Sequence, residues 1–126
     1  MASSLHPRLR ICLLCYRGNP YSGGQGIYIH YLSRELQALG HEVHVIAGPP
    51  YPEVVEGVTV HRLESLNLYE SPATSWRSLA RVNTPLRLYE LLAVSLGAFP
   101  EPLTFSIRAY YRLRSLMAEQ PFDIIH

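Results

Sequence analysis

Between Arg10 and Gly48 the chain runs from an apolar stretch through a glycine-rich loop into a leucine-striped segment and a second apolar stretch. This order constrains the fold more than any other feature. Arg10 to Tyr16 reads as a buried strand, followed by the loop Arg17-Gly18-Asn19-Pro20-Tyr21-Ser22-Gly23-Gly24. From about Gln25 to Leu39, Ile29, Leu32, Leu36 and Leu39 fall at i, i+3, i+7 and i+10, one face of a 3.6-residue repeat. Gly40 is placed to end that helix, because glycine enters the left-handed region without steric cost. Glu42 to Ala47 is a second strand, stopped by Gly48-Pro49-Pro50. Two strands joined through a helix by short connections form a parallel pair with a right-handed crossover. Runs that are apolar throughout, rather than alternating, imply a sheet covered on both faces.

The remainder extends the same pattern. A third strand is expected over Val58 to Leu63, after the turn at Glu56-Gly57. Helices are expected over about Ser75 to Val82, Pro85 to Leu96 and Thr104 to Glu119, the last with Tyr110, Leu113, Leu116 and Met117 inward. Pro121 breaks the last helix, and Phe122 to His126 reads as another buried strand. The fold class is α/β, a Rossmann-like doubly wound parallel sheet over residues 10–126 behind a leader of residues 1–9. Ligand sites of such sheets lie at the carboxyl ends of the strands. A sequence that stops on a strand end is therefore expected to be an incomplete domain of a longer protein.

Composition excludes several classes. A chain of 126 residues, 48% hydrophobic, suits one globular domain, and a net charge of +1 gives no field for nucleic acid. No signal-peptide core precedes Ile11, and Leu86 to Phe99 is too short and too charged to span a bilayer. The expected location is cytoplasmic. The arginines between Trp76 and Arg114 are read as an acceptor-side surface, as a peripheral contact with anionic lipid at the inner membrane face, or as solvated faces of helices packed on the sheet. Cys12 and Cys15 are spaced C-x-x-C, but strand residues three apart point to opposite faces, so they are expected to be core thiols rather than a redox or metal pair. His44 and His61 lie inside expected strands, and no metal-binding motif is present.

Ser22-Gly23-Gly24-Gln25-Gly26 lies between strand and helix, where unpaired N–H groups and the helix dipole favour an anion. The alternative reading of these glycines is a tight turn or close packing of helix on sheet. The chain contains no lysine, so the loop is not a Walker A loop. Ile29 stands where a dinucleotide fingerprint needs its third glycine, and no acidic residue ends the second strand.

The run from Gly23 to Leu36 (GGQGIYIHYLSREL), followed by Leu39-Gly40-His41-Glu42-Val43-His44-Val45-Ile46, closely resembles the amino-terminal domain of family-4 retaining glycosyltransferases. Phe122 to His126 is similar to a later strand of that family that ends in a histidine at the cleft. The resemblance implies a two-domain GT-B enzyme of hexosyltransferase type. It would move a sugar from a nucleotide-diphosphate donor to a hydroxyl acceptor with retention, without a cofactor or an obligatory metal. It implies that Gly23 and Gly24 lie against the donor diphosphate, with Gln25 and Gly26 opening the helix behind them, and that His126 stands at the cleft edge. The family often carries two histidines there with one residue between, so the resemblance alone leaves open which one faces the site. The family's paired donor-binding glutamates belong to the carboxy-terminal domain, and the spacing of Glu56 and Glu64 is coincidental. One helix terminus contributes about 0.3–2 kcal/mol to an anion, whereas micromolar affinity needs about 8 kcal/mol. The loop is thus one wall of a divided site. Other readings are a non-catalytic Rossmann-like nucleotide-binding or partner module, and a nucleotide-sugar epimerase of GT-B fold.

Overall fold

A computed structural model describes residues 6–19, 23–64 and 101–126, together with 85, 88, 89 and 92. Its elements are β1 (Arg10–Cys15), α1 (Gly24–Ala38), β2 (Glu42–Ala47), β3 (Thr59–Arg62), α2 (Glu101–Glu119) and β4 (Ile124–Ile125). The strands form one parallel sheet in the order β3-β2-β1-β4. β1 and β2 pair along their whole length, from Arg10 opposite Glu42 to Cys15 opposite Ala47. The expected helix over 75–82 lies outside the described residues. Of the next, Pro85, Leu88, Tyr89 and Leu92 are described and helical. No helix among the described residues is long and apolar enough to cross a membrane.

Alternation along the strands divides the core in two. Ile11, Leu13 and Cys15 of β1, with Val43, Val45 and Ala47 of β2, meet Ile29, Leu32 and Leu36 of α1. Cys12 and Ile46 meet Phe105, Ala109, Leu113 and Leu116 of α2, with Phe122 closing the cluster. The sheet is therefore covered on both sides, as the unbroken apolar runs require. Cys12 and Cys15 fall in different clusters, both as free thiols. Burial pushes each thiol up to about 11, which leaves neither a nucleophile at neutral pH.

Three expectations about facing residues are corrected. Leu39 caps α1 and is exposed; the residues that α1 buries are Gly26, Ile29 and Ser33. Tyr110 is exposed as well; the inner row of α2 runs through Ala109, Leu113 and Leu116. Ile124 and Ile125 were expected to be buried but are 44% and 45% exposed. Among the described residues β4 pairs only with β1, whereas α1 packs on β1 and β2, and α2 on β2.

On the α2 face a polar chain crosses three strands. Glu42 Oε1 accepts from Arg10 Nε (2.8 Å) and from His44 Nε2 (2.8 Å). At the other end Arg112 can only donate, so His61 Nδ1 accepts from it at 3.2 Å; the Nε2–H of the neutral His61 ring then donates to His44 Nδ1 at 2.9 Å. The two imidazoles lie edge to edge, with their planes 6° apart and their centroids 5.2 Å apart. Each hydrogen bond is satisfied only when both rings are neutral, since a further proton would set N–H against N–H. Burial and then Arg112, His44 and Arg10 hold the His61 pKa below its ordinary 6.5, with Glu119 opposing. The Arg10 and His44 hydrogen bonds hold Glu42 below its ordinary 4.5.

The sign of the linkage follows. Below about pH 6.5 the unfolded chain protonates His61 while the folded chain resists, so the His61 contribution is complete above that pH and declines as pH falls. The Glu42 contribution is lost at lower pH still, as its carboxylate is protonated. The urea midpoint is expected to drop between about pH 7.5 and pH 5.5. His61→Gln, which can donate and accept at the same places, should flatten that drop. An equal drop in the variant would remove His61 from the account.

Candidate functional site

The loops at the carboxyl edge of the sheet are tied together by backbone. Gly18 N–H donates to the Pro50 carbonyl (2.8 Å) and Gly48 N–H to the Cys15 carbonyl (3.1 Å), joining the loop after β1 to the loop after β2. Gln25 Oε1 accepts from the Arg17 N–H at 3.2 Å, so this side chain holds the glycine loop against the first turn of α1. α1 begins without a side-chain cap, and its first turn carries no acidic residue. The positive end of its dipole is therefore unopposed by the helix itself.

Three neighbouring glycines are not equivalent. Gly23 sits at φ 81° and ψ 152°, a conformation that L side chains rarely adopt. At Gly26 a Cβ would collide with the backbone of Asn19 and Gly18, so glycine lets the loop lie on the helix. Gly24 has neither reason. Its φ is outside the left-handed region, and a Cβ there would meet nothing within 4 Å among the described residues. Nothing described in the chain's own packing forbids a side chain at Gly24, although glycine in a helix costs roughly 0.5–1 kcal/mol relative to alanine.

His126 follows β4 and reaches the same end of the sheet. Its backbone is pinned to β1 by His126 N–H to the Cys12 carbonyl (2.9 Å) and Leu14 N–H to the His126 carbonyl (2.7 Å). Its ring is exposed, and Nε2 lies 3.1 Å from the hydroxyl of Tyr28. Tyr28 is four residues beyond Gly24 on α1, so the glycine loop and His126 meet at one edge through this residue. Tyr28 was not among the residues the sequence singled out. Its signal is an aromatic off the Ile29-Leu32-Leu36 stripe, one turn from the glycines.

Elsewhere at this end, Arg17 of the glycine loop lies over the Tyr16 ring, 4.9 Å from its centroid, and donates to its hydroxyl. Tyr21 lies outside the described residues. His30 Nδ1 donates to the Glu53 carbonyl at 2.8 Å and holds the connection between β2 and β3, not the cleft. A wide concavity at the opposite end of the sheet is lined by Arg8, Arg10, Glu42 and Asp123. It is bridged by ion pairs and lies away from the strand ends where ligands of parallel sheets bind.

With this geometry in place, comparison with known proteins is specific. A family model described as Glycosyltransferase Family 4 matches residues 22–126, which includes the glycine pair, α1 and His126. The MMP alpha-(1->4)-mannosyltransferase of Mycolicibacterium hassiacum is 42% identical over 121 residues. That alignment covers 94% of this chain and 29% of the relative, so the chain spans less than a third of the relative's length.

Proposed function

The chain belongs to glycosyltransferase family 4, and from that membership we propose that it is the acceptor-side portion of a hexosyltransferase. The protein takes a sugar from a nucleotide-diphosphate donor and joins it to a hydroxyl acceptor with retention of configuration. Residues 10–126 form part of the amino-terminal domain of a GT-B enzyme, and a carboxy-terminal domain supplies the base and most sugar contacts. The relative's name supports mannose as the sugar and an α-(1→4) linkage as the product.

The observation that carries this reading is Gly24. A residue without a side chain, at a helix start with no side-chain cap and with nothing within 4 Å of its Cβ position among the described residues, fits a ligand that approaches the backbone. Gly23, Gly24 and the first turn of α1 receive the diphosphate, Gln25 keeps that turn in place through Arg17, and His126 stands at the cleft edge. The N–H donors offset phosphate charge without a metal or cofactor from this domain.

The test is a panel of nucleotide-diphosphate sugars presented to the full-length protein, read as donor hydrolysis and as transfer to hydroxyl acceptors. Turnover of a mannose donor with an α-linked product is expected. An inverted product would overturn retention, and epimerised sugar without transfer would favour the epimerase reading. Binding without any turnover would favour the non-catalytic module.

A further inference from the structure

Tyr28 and His126 form a polar pair across 98 residues of chain, between the first turns of α1 and the end of β4. Neither side chain contributes to the core: Tyr28 is 52% exposed and the His126 ring is exposed as well. An exposed tyrosine–histidine hydrogen bond adds little to stability, so its distinctive effect is geometric. The His126 backbone is held by two hydrogen bonds to β1, which leaves only the ring free to turn. The Tyr28 hydroxyl at 3.1 Å from Nε2, with ring centroids 6.1 Å apart, removes that freedom.

The direction of the hydrogen bond follows from the two groups. A phenol is the better donor and an imidazole nitrogen the better acceptor, so the Tyr28 O–H donates to Nε2. The neutral ring must then carry its proton on Nδ1, which has no hydrogen-bond partner among the described residues.

We propose that Tyr28 is a positioning residue for His126, holding its ring in one orientation and in the Nδ1–H tautomer at the edge of the sugar-transfer site. The proposal rests on the reading of His126 as part of that site. It is distinct from any contact of Tyr28 with donor or acceptor, because the hydroxyl acts through the histidine. A free imidazole would turn and exchange tautomers, and each substrate encounter would find the correct N–H only part of the time.

The test uses the full-length protein with Tyr28→Phe, which keeps the ring and removes the O–H, alongside His126→Gln and the double variant. Nitrogen NMR of histidine-labelled protein, with the His126 signal assigned by its loss in His126→Gln, should show the Nδ1–H form in the parent and a mixed or Nε2–H form in Tyr28→Phe. The Tyr28→Phe kcat should fall roughly 2- to 12-fold, the worth of one neutral hydrogen bond, with donor KM nearly unchanged. In the His126→Gln background the same change should have no further effect. If His126→Gln leaves transfer intact, the site reading of His126 falls and this proposal with it. If His126→Gln impairs transfer while Tyr28→Phe alters neither tautomer nor kcat, the positioning role alone is overturned. A Tyr28→Phe loss that persists undiminished in the double variant would also overturn it, assigning Tyr28 a substrate contact of its own.

Discussion

Replacing Gly24 with alanine is expected to make the full-length protein more resistant to urea and about ten- to a hundredfold poorer in kcat/KM for its sugar donor. The two effects share one cause. Gly24 is helical, its φ is outside the left-handed region, and a Cβ would point into open space among the described residues. Alanine should therefore recover roughly 0.5–1 kcal/mol of backbone entropy at no steric expense. The same methyl would occupy the space through which a phosphate oxygen reaches the first N–H groups of α1. Hydrogen bonds to a charged group contribute about 1.5–3 kcal/mol each, and displacing one sets the expected loss. Urea unfolding and donor-saturation kinetics on the same preparation decide the matter. A more stable variant with unchanged donor kinetics would remove Gly24 from the diphosphate contact.

Two residues later the same substitution should do the reverse. Gly26→Ala places a methyl against the backbone of Asn19 and Gly18, which cannot swing aside as a flexible side chain could. Overpacking of this kind costs about 1–3 kcal/mol, and here the helix must lift or the loop after β1 must move. The urea midpoint is expected to fall and α1 to lose hydrogen-exchange protection at its first turns. Any loss of activity should follow the loss of folded protein and diminish at low temperature with saturating donor. A Gly26→Ala protein as stable as the parent would mean that the loop does not rest on the helix. Taken as a pair, the two variants separate a glycine required by the ligand from a glycine required by the fold.

Much of the architecture was legible in the sequence because its signals are local. The 3.6-residue spacing of Ile29, Leu32 and Leu36, the apolar runs of β1 and β2 and the turn glycine at Gly40 each depend on a few neighbouring residues. Gly40 has φ 90°, as a helix-ending glycine should. The strand period likewise predicted that Cys12 and Cys15 part to opposite faces, and they do. Gly23, Gly24 and His126 were found by resemblance, and the parallel order β3-β2-β1-β4 brings the glycine loop and His126 to one edge.

The errors and omissions have a common physical reason. Periodicity says that a residue is on a face, but not how far a neighbouring element extends over it. Tyr110 shares a turn with Ala109, yet the smaller residue takes the closest approach and the tyrosine is left outside. Ile124 and Ile125 are as apolar as Val43 and Val45, but among the described residues their strand pairs with β1 alone.

By itself, then, the sequence determined a parallel α/β unit with a glycine loop between its first strand and helix, because helix and strand periods and turn chemistry are properties of adjacent residues. Only the tertiary structure decided why Gly23 and Gly26 are glycines, which tyrosine meets His126, and how Glu42, His44 and His61 are hydrogen-bonded to one another. Those answers depend on atoms brought together from positions as far apart as 98 residues, and no local pattern encodes that distance.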